Sequence, residues 1–173
     1  HVTGTTNTPL MCDYLTPETL GADRLAAAVG AACCCPNTEL LIIDAGTCIT
    51  YDYVSAEGHY LGGNISLGLG MRLRALHEQT ALLPLVAADG NVPTIGRNTH
   101  EAIRSGVIRG MDFEIMGYIR RMWQQHPKAR IFVTGVSRPN SSTRIVRVCL
   151  SSLMDSITPT VSFHAPVVTT TVS

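Results

Sequence analysis

Four consecutive apolar residues, Leu40-Leu41-Ile42-Ile43, run into Asp44-Ala45-Gly46-Thr47, and Cys48-Ile49-Thr50-Tyr51-Asp52-Tyr53-Val54 follows at once. A short apolar run of this kind reads as a buried strand, and the segment after it reads as a second strand. Between them Gly46 permits a turn that a side chain would forbid. A tight strand–turn–strand offers backbone N–H groups and the Thr47 hydroxyl to a phosphate, with Asp44 placed to hold a cation. The same four residues also suit an ordinary hairpin entry in which Asp44 is a local cap.

The chain has 173 residues, 45% of them hydrophobic and 15% charged, enough for one domain, or one and a half small ones, around a sizeable core. A formal net charge of zero argues against electrostatic capture of nucleic acid or of an acidic membrane surface. No apolar run approaches the length of a membrane span and no basic-then-apolar leader opens the chain. The six cysteines form no CxxC pair. Cys33-Cys34-Cys35 lies in an alanine-rich, helix-like stretch, and these residues read as small buried side chains in a reducing cytoplasm, without the spacing of a zinc site. The first residue is His, so a fragment, a processed product or an incomplete reading frame is expected.

Thr16-Pro17-Glu18 reads as a helix start, with Thr16 as cap and proline in the first turn. The run from Leu25 to Ala32 favours helix and Pro36 stops it. Strands are expected at 40–44, 48–54 and 59–65, with Ser55-Ala56-Glu57-Gly58 as a hairpin turn. Leu67 to Gln79 reads as a helix with Leu69, Leu73 and Leu76 on one face, and 80–96 as a loop. A long helix from Thr99 to Gln125 is marked by Ile103, Val107, Met111, Ile115 and Ile119 at four-residue steps. Gly106, Gly110 and Gly117 interrupt it, small residues suited to close approach of another backbone. A last strand spans 130–134, and after Gly135 the chain becomes rich in Ser, Thr and Val without a period. The whole reads as an α/β domain, one mixed sheet flanked by helices.

Three further segments carry chemistry. Gly21-Ala22-Asp23-Arg24 pairs an acid able to accept a proton from a hydroxyl with a guanidinium able to clamp a carboxylate; both residues also suit a solvated helix surface. Gly62-Gly63-Asn64-Ile65-Ser66-Leu67-Gly68 reads as a glycine-rich loop between strand and helix, and it is neither a Walker loop nor a dinucleotide fingerprint. Gly96-Arg97-Asn98-Thr99 opens the long helix, with Asn98 or Thr99 as cap and Glu101 in the first turn. His59, His77, His126 and His164 are scattered singly and receive no role.

In their order and spacing these segments resemble the type III pantothenate kinases. Tyr14-Leu15-Thr16-Pro17-Glu18-Thr19-Leu20-Gly21-Ala22-Asp23-Arg24 matches the family's Tyr-x-x-Pro-x-x-Leu-Gly-x-Asp-Arg and precedes Asp44-Ala45-Gly46-Thr47 by about twenty residues. A Gly-Gly-x-Ile segment, Thr80-Ala81-Leu82-Leu83-Pro84 and Gly96-x-Asn98-Thr99 follow in family order. The resemblance covers about 120 residues, from Tyr14 to Gly135. It implies the actin-like (ribonuclease H-like) fold of the acetate and sugar kinase superfamily, mostly its second lobe. Residues 1–38 would be a remnant of the first lobe with the pantothenate-binding segment, 39–135 the second lobe, and 136–173 an atypical tail, disordered or out of frame.

The resemblance implies a cytoplasmic homodimer that transfers the γ-phosphoryl group of ATP, bound with Mg2+, to the primary hydroxyl of pantothenate in the first step of coenzyme A synthesis. It makes Asp23 the general base and Tyr14, Gly21, Ala22 and Arg24 pantothenate contacts. Asp44 becomes the ligand of a monovalent cation, K+ or NH4+, Gly46 and Thr47 ATP contacts, and Thr99 a residue reaching pantothenate from the other subunit. Three departures stand out. The family's opening Asp-x-Gly-Asn-Thr strand is not found in the sequence. Its Thr-Gly-Gly-Asp appears as Thr134-Gly135-Val136-Ser137. Leu67 replaces a usual proline. The ATP half of the site is therefore expected to be incomplete in these 173 residues, and the chain alone to have little kinase activity. A non-catalytic dimerising or regulatory module on the same scaffold, and a phosphotransferase acting on another hydroxy acid, are the alternative readings.

Overall fold

The computed structural model describes residues 5–135 and the backbone of 148–150. Six strands form one sheet: β1 (Met11–Cys12), β2 (Leu40–Ala45), β3 (Cys48–Val54), β4 (His59–Leu67), β5 (Arg130–Thr134) and β6 (Val148–Leu150), in the spatial order β1-β4-β3-β2-β5-β6. β2 runs antiparallel to β3 and parallel to β5, β3 is antiparallel to β4, β1 parallel to β4, and β6 antiparallel to β5. The architecture is a mixed sheet with helices α1 (Ala22–Cys34), α2 (Leu69–Glu78) and α3 (Thr99–Gln125). The atypical tail expected from residue 136 onward lies outside the described residues, apart from β6.

β2 is buried because it is covered from both sides. Leu40 and Ile42 join Leu25, Ala28 and Ala31 of α1 in one cluster. Leu41 and Ile43 join Met111, Ile115, Ile119 and Trp123 of α3 in another. The first half of α3 packs instead on α2 and the following loop, where Leu73, Val86, Ile103 and Val107 meet. The four-residue spacing thus serves two surfaces in succession: Ile103 and Val107 face α2, while Met111, Ile115 and Ile119 face the sheet. The loop expected over 80–96 is one and continues to residue 98, and α3 holds it from one side. Arg104 donates to the Ala87 and Asn91 carbonyls, and Arg109 to those of Pro93 and Val92.

Four expectations need correction. The helix predicted from Thr16 is a single 3-10 turn, Pro17–Thr19, and Thr16 makes no side-chain cap to the backbone; its hydroxyl accepts from Thr19 instead. The chain extends again at Leu20, and α1 starts only after Gly21. The segment Gly62–Leu67 is not a loop but the second half of β4, paired along its length with β3. Its glycines accommodate a register shift between Tyr53 and Val54, and Gly62 has φ +115°. A Cβ at Gly106, Gly110 or Gly117 would meet nothing within 4 Å, so among the described residues no backbone outside α3 approaches them. The cysteines are less buried than expected: Cys33 and Cys34 are exposed, and Cys12, Cys35 and Cys48 are half-buried.

Candidate active site

The face of the sheet covered by α1 carries the chemistry. Directly paired residues on neighbouring strands project to the same side. Asp44 of β2 pairs with Thr50 of β3, which pairs in turn with Ile65 of β4, and Asp52 pairs with Gly63. Thr50 and Asp52 therefore share a face with Asp44, and the N-terminal turn of α1 brings Asp23 and Arg24 against it.

Arg24 is 7% exposed and Asp52 1%. The Arg24 Nε and Nη2 donate to the Asp52 Oδ1 at 2.9 and 2.6 Å. The Tyr60 hydroxyl donates to that oxygen at 2.6 Å, and the Thr50 hydroxyl donates to Oδ2 at 3.1 Å. A buried ion pair holds together only when its remaining polar atoms are satisfied, and these two hydroxyls satisfy the carboxylate. Burial lowers the affinity of the guanidinium for its proton, but the bond and charge of Asp52 outweigh that and raise it. Burial and the Asp52 bond push the Tyr60 hydroxyl up, so it stays a donor. The Tyr14 ring lies 5.7 Å from the guanidinium carbon and edge-on to Tyr60 at 6.2 Å.

Asp23 is exposed in the first turn of α1, and its Oδ1 accepts the Arg24 backbone N–H at 2.8 Å. Gly21 is close behind: a Cβ there would lie 2.6 Å from that oxygen. Burial raises the Asp44 carboxyl, and the charges of Asp23 and Asp52 raise it further. Asp44 thus feels both other acids, and the guanidinium beside them is already paired. Among the described residues no three His, Cys, Asp or Glu side chains form a metal-binding group.

The Gly46–Thr47 turn is exposed, at a place where three segments converge. The Gly68 N–H donates to the Thr47 carbonyl at 3.0 Å, and a Cβ at Gly68 would overlap the Gly46 and Thr47 carbonyls. Gly135, at φ +114°, abuts the backbone of Ala45. One part of the sequence reading changes here: the Gly46 N–H is engaged with the Cys48 carbonyl at 2.9 Å, so the turn's free surface is that of Thr47.

Thr99 stands apart from this cluster. Asn98, not Thr99, caps α3, its side chain accepting the Glu101 N–H at 3.0 Å, and Glu101 reaches back to the Arg97 N–H. That reciprocal arrangement is close to a capping box, and it leaves the exposed Thr99 hydroxyl unused by the cap. No described hydrogen bond joins Thr99 to Tyr14, Asp23 or Arg24. On the α3 face, Tyr51 donates to Glu114 at 2.8 Å and stacks on Tyr118 at 3.7 Å, and Arg72 pairs with Glu114 and donates to Ser66. An open cavity of about 310 Å3 on that face, lined by Tyr53, Leu61, Gly62, Gly63 and Met122 among others, touches the glycine-rich segment but none of Tyr14, Gly21, Asp23, Arg24, Asp44, Thr47 or Thr99.

Asp52, Tyr60 and Thr50 were not singled out from sequence, although an acid in the interior of a strand demands a partner. Tyr14, Gly21, Asp23, Arg24 and Asp44 lie on the α1 face of the sheet.

A family model described as type III pantothenate kinase matches residues 1–121. The chain belongs to the type III pantothenate kinase family. A type III pantothenate kinase of Bacteroides fragilis is 52% identical over 130 residues, 75% of this chain and 54% of that protein. One from Porphyromonas gingivalis is 51% identical over 145 residues, 82% of this chain and 59% of that protein. This family member therefore spans about half the length of the curated relatives it matches. A solved Campylobacter jejuni structure, described as a conserved putative Baf family transcriptional activator, shares the fold at a TM-score of 0.51 and 22% identity, covering 73% of this chain and 53% of that one. No helix among the described residues is long and apolar enough to cross a membrane.

Proposed function

We propose that the protein carrying this chain phosphorylates pantothenate with ATP to give 4'-phosphopantothenate, the opening step of coenzyme A synthesis. The observation that carries this reading is the placement of Asp23. It is an exposed carboxylate at the start of a helix, beside a buried Arg24 and across the same face from Asp44. In the actin-like arrangement expected of the family, the described residues supply the pantothenate side and one phosphate turn.

Asp23 takes the proton of the substrate's primary hydroxyl as that oxygen attacks the γ-phosphorus of ATP. Tyr14, Gly21 and Ala22 line the approach, with Arg24 contributing whatever part of its guanidinium Asp52 leaves unengaged. Thr47 faces the phosphates, and Gly46, its N–H held by the Cys48 carbonyl, shapes the turn against which they pack. Phosphoryl transfer asks little covalent chemistry of the protein and depends on positioning and charge.

Asp44 fits a monovalent cation, K+ or NH4+. Its carboxyl is raised first by burial and then by Asp23 and Asp52, so bound positive charge relieves a cost already present. A lone carboxylate suits a loosely held ion better than a caged divalent one. Such a cation supplies charge next to the phosphates, and Mg2+ arrives with ATP. Thr99, unused by its helix cap, is assigned to the pantothenate of a second subunit, which makes the working unit a homodimer. A cytoplasmic setting is part of this reading.

The test is Asp23→Asn in the full-length protein. Pantothenate-dependent ADP release is expected to fall by about 10²–10⁴-fold, while calorimetry still detects pantothenate binding. Turnover at the wild-type level would remove Asp23 as the base.

A further inference from the structure

The buried carboxylate that no motif announced has a job in this site. We propose that Asp52, held by Tyr60 and Thr50, is a positioning residue: it anchors Arg24 to the sheet and thereby fixes where Asp23 stands. This rests on the reading of Asp23 as the base.

Two simpler roles for these groups fail on the geometry. Asp52 is not itself a base, because it is 1% exposed and its two oxygens accept four hydrogen bonds from Arg24, Tyr60 and Thr50. Arg24 cannot turn its Nε–Nη2 edge on a substrate carboxylate, because both nitrogens are committed to Asp52, which leaves Nη1 for that purpose. What Arg24 does is connect. Its side chain is tied to β3, and its backbone N–H holds the Asp23 carboxylate at 2.8 Å. The same residue therefore grips the sheet at one end and the base at the other.

The surroundings are shaped for this link. Gly21 gives α1 no side-chain cap, so the first turn lacks the restraint that a serine or aspartate would add. Gly63 has no Cβ where one would sit 2.8 Å from Asp52 Oδ1 and 2.9 Å from Arg24 Nη2. The Tyr14 ring closes over the guanidinium. A base misplaced by about 1 Å loses rate on the order of 10²-fold, so a link of this kind controls turnover without touching substrate.

The experiment compares Asp23→Asn, Asp52→Asn, Tyr60→Phe and the double variant Asp23→Asn/Asp52→Asn in the full-length protein, each assayed well below its own melting temperature. Asp52→Asn is expected to lower kcat at saturating substrates at least about tenfold, with KM for ATP held within about twofold. The double variant is expected to be no slower than Asp23→Asn alone, since the two residues act through one step. Tyr60→Phe, which keeps the ion pair and removes one bond, is expected to lower kcat about threefold. If Asp52→Asn fails to fold, Tyr60→Phe decides: reduced kcat supports the proposal and unchanged kcat overturns it. A folded Asp52→Asn protein with a lower melting temperature and wild-type kcat also overturns it, leaving Asp23 as base intact. Wild-type turnover in Asp23→Asn removes the base reading and this proposal together.

Discussion

Replacing Gly63 by alanine tests the arrangement around Arg24 without removing any polar group. The added methyl carbon would fall on the Tyr51 carbonyl, 2.8 Å from Asp52 Oδ1 and 2.9 Å from Arg24 Nη2, where carbon contacts settle at about 3.5 Å or more. Gly63 does not occupy a positive-φ conformation, so the backbone tolerates alanine and the whole cost is contact. Overpacking of this kind costs about 1–3 kcal/mol, and displacing a charged hydrogen bond costs about 1.5–3 kcal/mol. A Gly→Ala change returns about 0.4–1 kcal/mol by restricting the unfolded chain. The net expectation is a loss of about 3 kcal/mol, read in thermal melts as a fall in Tm of roughly 6–12 °C for a chain of this size. Gly117→Ala is the paired control. It is exposed in the middle of α3 and its Cβ meets nothing, so a gain of about 1 kcal/mol in isolated chains is expected from helix propensity. Equal effects of the two substitutions, or a rise in Tm for Gly63→Ala, would refute the claim that the ion pair occupies the space a side chain would need.

Two other expectations follow from charge. Asp44→Asn removes a carboxyl raised by burial and by Asp23 and Asp52. It should stabilise the ligand-free chain at neutral pH by about 1 kcal/mol in urea melts and, on the proposal that Asp44 holds a cation, remove the response of full-length turnover to added K+. Because the folded carboxyl is raised, the wild-type disadvantage is present once pH exceeds the folded value and disappears below the ordinary aspartate range. Glu114 has the opposite sign: burial raises its carboxyl, but Arg72, Tyr51 and Ser66 more than offset this and lower it. Its stabilisation, about 1–2 kcal/mol, is therefore present above the ordinary glutamate range and lost as pH falls through the lowered folded value. Urea midpoints of wild type and Glu114→Gln should converge as pH drops from 7 towards 3, and a gap that stays constant counts against the assignment.

The fold was legible where local pattern and burial agree. The bounds of α3, β3 and β5 follow directly from apolar spacing, because that spacing runs unbroken along each, in α3 across two successive surfaces. Thr16 misled because a cap residue and a proline define a turn without saying how far it propagates, and here extension at Leu20 ends it. Gly62 and Gly63 misled because glycine in a strand looks like glycine in a loop until the space it vacates is known. In the site, Asp23, Arg24 and Asp44 stood in recognisable motifs. Asp52 lies 28 residues from Arg24 and eight from Tyr60, so only strand pairing and helix packing bring them together. The available signal was parity: Thr50 and Asp52 alternate with Ile49, Tyr51 and Tyr53, and an acid between two aromatics in a strand has to find its counter-charge on the other face.

That alternation makes β3 two strands in one. Ile49 and Tyr51 build the contact with α3, while Thr50 and Asp52 build the platform for Asp23. Single substitutions scanned along 49–52 should therefore add a loss of turnover at 50 and 52 that those at 49 and 51 lack, with a period of two. Deleting or inserting one residue in the strand would exchange the faces, driving Asp52 towards the aliphatic layer and Tyr51 into the polar one. The segment can drift in sequence only within its parity, so its length is under tighter restraint than the identity of most of its residues.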